Sequence, residues 1–433
     1  MTPSRREFLT GSLLIGTCAP FMRGSFAAEV SATDESLARA RTKGLLLGSA
    51  IGDAVGGPVE FQENEDVAEV VPNCRGWRDD RELSETDLRR FAESLRMHSY
   101  QKYRPEAEPY GQWRAAAPAG TVTDDTRHKM ILISALQQAV DEGWLPITKE
   151  NLASAYLKYP QSQSIANRPE YRELCDESLR EYWKSARWIL GNRDPAVAAP
   201  PERIWGGVPT CCGQMTLLPL AAIYAGKPVE AYRAAFALGF FDTGEAKDIN
   251  SALVAGLSVA LREPTPTDQR SRRRTWNAIT ETMRTTDPYR YAEVPYVPRP
   301  TIVWLNFAHD AAERAGRSPK RLFEILEQEG KVKFYWEAHF VLAVVFSMIE
   351  FCDYDPLPAL MLTLDFGHDT DSYAQLLGAF IGAVYGPEVF PADLRKPVIK
   401  RLSEDYDVSF DQWTALLTSL GDQRKWKEVV AYD

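Results

Sequence analysis

Residues 120–143 read GTVTDDTRHKMILISALQQAVDEG, and this stretch decides the fold. Thr123, Asp124 and Asp125 stand where a helix should begin. Thr and Asp accept hydrogen bonds from the first free N–H groups, and acidic side chains suit the positive end of the helix dipole. Behind them Ile131, Ala135 and Leu136 recur at helical spacing, with Leu132 and Val140 nearby, and Gly143 supplies a stop. A helix over 127–142 is expected. Capping accounts for one carboxylate. Two adjacent carboxylates flanked by hydroxyls repel each other unless a cation sits between them, so Thr123-Asp124-Asp125-Thr126 also reads as part of a metal site.

The same period runs through most of the chain. Residues 35–57 are apolar or small nearly all round, as in a buried helix. Further helices are expected at 150–159, 176–190, 214–225, 228–239, 248–262, 319–328, 336–351, 356–364, 372–385 and 410–420. Strand signals are few and short, which predicts an all-α, compact multi-helix body. Three stretches break the pattern. Residues 62–118 read as a partly helical insertion and 191–212 as a Pro/Gly-rich loop. Residues 263–300 run from a Thr/Pro stretch through Arg270–Arg274, a solvated helix face, to another Pro-rich segment. Gly44, Gly48, Gly52 and Gly56 recur every four residues, as do Gly378, Gly382 and Gly386. Each set makes a smooth ridge where another helix or a ligand can approach the backbone, which offsets the roughly 1 kcal/mol each helical glycine costs relative to alanine.

With 433 residues, 45% apolar and 25% charged, the chain can bury a large core. A net charge of −10 gives little counterion release, so nucleic acid is not an expected partner. Ser4-Arg5-Arg6-Glu7-Phe8-Leu9, the short apolar run after it and Ser25-Phe26-Ala27 read as a twin-arginine signal over 1–27, cleaved near Ala27. That implies export to the periplasm or beyond, with no stable membrane insertion after cleavage. Cys74, Cys175, Cys211, Cys212 and Cys352 contain no CxxC pair, so neither a disulfide framework nor a zinc knuckle is expected. Adjacent Cys211 and Cys212 read as buried small residues.

Two more segments carry chemistry. Asp365-Phe366-Gly367-His368-Asp369-Thr370-Asp371-Ser372 again precedes a helix. Asp369 and Asp371 can converge in a turn, and Ser372 adds a neutral oxygen. Such all-oxygen sets suit Mg²⁺ or Mn²⁺. Two similar acidic helix starts, far apart in sequence, point to one shared site, with His368 supporting rather than coordinating. In Gly52-Asp53-Ala54-Val55-Gly56-Gly57-Pro58-Val59-Glu60, Pro58 ends the helix and leaves Glu60 near its end.

In this order the three motifs resemble the ADP-ribosylglycohydrolase family, with its G-D-x-x-G…E, S/T-D-D-T and G-x-D-T-D-[ST] segments and a closing Gly/Ala-rich helix, here residues 374–386 (AQLLGAFIGAVYG). The resemblance spans about residues 40–390. It implies a domain over 35–400 with insertions at 62–118 and 263–335, a C-terminal helical extension over 401–433, and a central two-metal cleft. It places two Mg²⁺ ions, with Mn²⁺ as the other candidate, on Thr123, Asp124, Asp125, Asp369, Asp371 and Ser372, and a mobile glutamate on Glu60. The family's G-N-G-[SA]-x-M-R segment corresponds to Trp205-Gly206-Gly207-Val208-Pro209-Thr210-Cys211-Cys212-Gly213-Gln214-Met215, which lacks the Asn and Arg, and its T-H segment to Phe241-Asp242-Thr243-Gly244. The implied activity is hydrolysis of an N- or O-glycosidic bond at C1 of an ADP-ribose-like small molecule or ADP-ribosylated substrate. Glu60, Asp124 or Asp125 would serve as the base, Gly206, Gly207 and Gly213 would offer N–H groups to a diphosphate, and Trp205 would stack on a ring. The alternatives are a non-catalytic nucleotide- or sugar-binding protein and a metal-dependent phosphoester hydrolase.

Overall fold

The computed structural model describes residues 32–61, 82–99, 117–162, 178–422 and 426–432. The expected signal over 1–27 and most of the 62–118 insertion lie outside these. The helices are α1 (Ala32–Gly56), α2 (Glu85–Ser94), α3 (Asp124–Glu142), α4 (Lys149–Lys158), α5 (Arg180–Ile189), α6 (Cys212–Thr216), α7 (Leu220–Ile223), α8 (Pro228–Leu238) and α9 (Ala246–Ala260). They continue as α10 (Gln269–Thr285), α11 (Pro300–Ala315), α12 (Pro319–Glu329), α13 (Ala338–Phe351), α14 (Pro356–Phe366), α15 (Thr370–Tyr385), α16 (Ala392–Tyr406) and α17 (Phe410–Leu420). Among the described residues the β pairing consists of two isolated bridges, Ile147 with Val430 and Thr210 with Glu337. The fold is all-α. No described helix is long and apolar enough to cross a membrane.

The two glycine ridges explain the centre of the molecule: they face each other. A Cβ at Gly44 would lie 2.2 Å from the carbonyl oxygen of Gly382, one at Gly48 2.2 Å from that of Gly378, and one at Gly52 1.9 Å from that of Ala374. The pairing descends α1 while climbing α15 from its far end, so the two helices run antiparallel, backbone against backbone. Only glycine permits that approach. The contact also sets register. Its last rung brings Gly56 against the Asp371 backbone, and the Thr370 hydroxyl donates to the Gly56 carbonyl at 2.9 Å. The C-terminal end of α1 is thus fixed beside the N-terminal end of α15. Around this pair α9, α13 and α14 bury nearly every side chain, as helices apolar on all sides must.

The structure departs from the sequence reading in four places. The stretch over 263–300, read as a break in the pattern with a solvated helix face at Arg270–Arg274 alone, contains the full helix α10, closed at its start by an Asp268/Ser271 capping box and seated on Trp276, Ile279 and Met283. Residues 300–315 form α11, begun by a proline at its first turn, where the missing N–H costs nothing. Residues 392–406 form α16 despite the internal Pro397. The helix expected over 214–225 is two short ones, broken around Pro219. The 263–335 region and the C-terminal segment feed the same core: Leu305, Leu322, Phe410, Leu417 and Val429 are all buried in it.

A candidate metal centre where three helix ends meet

α3 begins beside the end of α1 because a side chain from α1 caps it. Asp53 is buried, and its two oxygens accept the N–H groups of Thr123 at 2.8 Å and Thr126 at 2.9 Å. Thr123 adds a local cap, its hydroxyl accepting the Asp125 N–H at 3.2 Å. The third member, α15, is placed by the glycine contact. On the remaining side the turn after α1 is tied down where the Phe61 N–H donates to the His368 carbonyl at 2.7 Å. Glu60 is thereby buried next to the Asp369 turn.

These ties bring five carboxylates into one cluster. Ligand atoms of Glu60, Asp369 and Asp371 all lie within 4.8 Å of one another, and so do those of Asp124, Asp125 and Asp371. Asp371 belongs to both groups, so one side chain is common to two candidate cation positions. The Ser372 hydroxyl reaches Asp125 Oδ2 at 3.5 Å and the Thr123 hydroxyl the same oxygen at 3.4 Å. His368 joins neither group: its ring stacks on Tyr335 at 3.6 Å and its Nε2 meets Glu327 at 3.1 Å.

Electrostatics say what the cluster needs. Burial first, then repulsion from neighbouring carboxylates, raises Asp125 and Asp371 well above the usual carboxylate range and Asp369 to about 8. Five carboxylates this close cannot all ionise without added positive charge. Lys129 supplies some: it is buried, donates to the Asp125 carbonyl at 2.7 Å, and is pushed down to about 8 by burial against the pull of Asp125 and Asp53. Asp125 Oδ1 and Asp369 Oδ2 are buried without a hydrogen-bond partner among the described residues. Orphaned, hard, anionic oxygens in two adjoining groups are the donor set a pair of divalent cations fits.

Above the cluster opens a cavity of about 480 Å³, lined by the five carboxylates, Phe61, Tyr182, Trp205, Trp336 and others. Trp205 therefore faces the site. Gly206 and Gly207 stand outside the lining, and the Gly213 N–H is already given to Asp242 at 3.0 Å. Cys211 and Cys212 are buried in the cavity wall, and burial raises both thiols, Cys212 to about 12, so they stay protonated. Sequence reasoning missed Asp53 as a cap, Lys129, Phe61 and Trp336. Lys129 had a visible signal, a charged residue one turn after Asp125 on a helix that buries that face. Trp336 had another, lying in the Phe334-Tyr335-Trp336 run just ahead of α13.

No curated protein matches the chain. Solved structures do. One of them, described as an ADP-ribosylglycohydrolase-related protein complex, is 17% identical and covers 89% of this chain and 99% of its own, with a TM-score of 0.46. The sequence model of the ADP-ribosylglycohydrolase family matches residues 34–423, a span from α1 through α17 that holds all three acidic motifs. By that match the chain belongs to the ADP-ribosylglycohydrolase family.

Proposed function

We propose that this protein is a metal-dependent hydrolase cleaving an N- or O-glycosidic bond at C1 of the ribose in an ADP-ribose-like substrate. The observation that carries the reading is the shared Asp371, which joins Glu60 and Asp369 on one side to Asp124 and Asp125 on the other. Asp124, Asp125 and Asp371 would hold one ion, and Glu60, Asp369 and Asp371 the second, with Ser372 and Thr123 contributing neutral oxygens beside them. Mg²⁺ fits this set, and Mn²⁺ is the alternative. Bound there, the ions would supply Lewis acidity.

The protein's own groups do the rest. Glu60, Asp124 and Asp125 are the carboxylates able to take the proton that water gives up. The same negative groups stabilise the positive charge that develops on the ribose ring as the C1 bond breaks. Burial of the cluster keeps bulk water from screening that attraction. Trp205, at the cavity edge, offers a face for a ring of the substrate. The substrate is a small molecule or an ADP-ribosylated group, and the twin-arginine motif at residues 4–9 supports export of the mature protein to the periplasm or beyond.

Incubation with Mg²⁺ and ADP-ribosylated peptide or O-acetyl-ADP-ribose tests the proposal. Free ADP-ribose should form, and its release should stop with chelator and in Asp371→Asn. Tight binding with no release would make the protein a binding module instead.

A further inference from the structure

The walls of the cavity bear on what the ribose carries. Two aromatic residues there occupy backbone that bulky side chains rarely adopt: Phe61 has φ 52°, and Trp205 has φ 48° and ψ 32°. Both residues are also exposed, Phe61 at 43% and Trp205 at 39%. A side chain that is conformationally strained and still exposed contributes little to the fold. Its position is compensated when a ligand covers it. Trp336 extends the same wall, edge-on to Phe61 at 6.0 Å and stacked on Phe334 at 4.8 Å, and Tyr182 backs Trp205 at 6.5 Å. Below these rings lie the five carboxylates, whose charge two divalent ions and Lys129 balance. The attraction for a flat cation therefore comes from the electron-rich faces of the aromatic wall.

We propose that the group at C1 of the ribose is a flat, positively charged nitrogen ring, making the substrate a ribosylpyridinium-type N-riboside. This rests on the hydrolase reading of the same cavity. The step balances without an oxidant or reductant. Water oxygen bonds to C1, and the C1–N bond breaks with its electron pair going to the ring nitrogen, so the ring leaves neutral. The water's proton passes to a carboxylate and then to solvent. Such a leaving group needs no protonation, so no acid has to be aimed at it.

The test uses the mature protein with Mg²⁺, titrating ribosylnicotinamide, adenosine and ADP-ribose by calorimetry while sugar release is measured in parallel. Ribosylnicotinamide should bind about tenfold tighter than adenosine or ADP-ribose, between the scales of an exposed and a desolvated cation–π contact. Trp205→Ala and Phe61→Leu should shrink that ratio severalfold, and Trp205→Phe should restore most of it. Equal or tighter binding of ADP-ribose, or an unchanged ratio in the folded Trp205→Ala and Phe61→Leu variants, overturns the inference. Preferential riboside binding with no hydrolysis of any compound overturns only the hydrolase reading. Release of ADP-ribose from peptide without riboside preference overturns only this inference.

Discussion

Replacing Gly52 by alanine sets two known effects against each other. Helix propensity favours alanine by about 1 kcal/mol at an interior position. Against it, the new Cβ would stand 1.9 Å from the Ala374 carbonyl oxygen and 2.3 Å from its carbon, whereas ordinary contact begins at 3.4 Å, a shortfall of about 1.5 Å. The obstructing atoms are backbone of α15, so no rotamer relieves the clash and the helices must part. Overpacking costs about 1–3 kcal/mol in a core that can adjust, and here the rungs at Gly48 and Gly56 are pulled open as well. The expected balance is a net loss of about 2 kcal/mol after the propensity gain, read from urea unfolding. Function should fall with it. Glu60 follows α1 while Asp371 rides on α15, so parting the helices widens the Glu60–Asp369–Asp371 group, and the rise in melting temperature on adding Mg²⁺ should shrink. Gly143→Ala is the control. Its φ of 70° strains alanine, but no atom lies within 4 Å, so it should cost about 1 kcal/mol with the metal response intact. If Gly52→Ala is as stable as the parent and responds equally to Mg²⁺, the helices are not locked by their backbones and the account of site registration fails.

Asp53→Ala strips the cap from Thr123 and Thr126, leaving two buried N–H groups unsatisfied. It should cost about 3 kcal/mol in urea unfolding and weaken Mg²⁺ binding by calorimetry, while Asp53→Asn should fall between. Asp242 gives a pH prediction. Burial raises it from an ordinary value near 3.8 to about 7, against Lys247, Asn250 and the Gly213 N–H, which lower it. Between those values the folded state holds the proton and the unfolded state does not, so stability falls as pH rises from about 4 to 7 and then levels. The difference between parent and Asp242→Asn unfolding free energies should therefore change across pH 4–7 with a slope of up to about 1.4 kcal/mol per unit; a flat difference would refute the assignment.

How much of this was legible in advance depends on where each determinant lives. Asp124 and Asp125, or Asp369 and Asp371, are neighbours in sequence, and their repulsion can be inferred without knowing any contact. The glycine ridges were legible as ridges, since a period of four on a helix is one face, but which surface they met was not. Helix α10 could have been found: Asp268 and Ser271 stand three apart, and Trp276, Ile279 and Met283 follow at helical spacing. The Thr/Pro run before it hid its start, although Arg270–Arg274 was legible as a solvated helix face. Helix α16 carries Pro397 inside it, which local rules count against a helix, and Leu394, Val398 and Leu402 buried beneath it override the rule. What no local rule reveals is the tolerance of the cluster. Asp53 caps a helix 70 residues away, and Lys129 becomes a counter-charge only because the fold buries it beside Asp125. A carboxylate pair in sequence can announce a cation, but whether the protein can hold those charges before the cation arrives is decided by residues whose role exists only after packing. Lys129→Met is the substitution that separates the two. It leaves every proposed ligand in place and removes the resident positive charge, so its effect on the ion-free protein should exceed its effect on the Mg²⁺-loaded one.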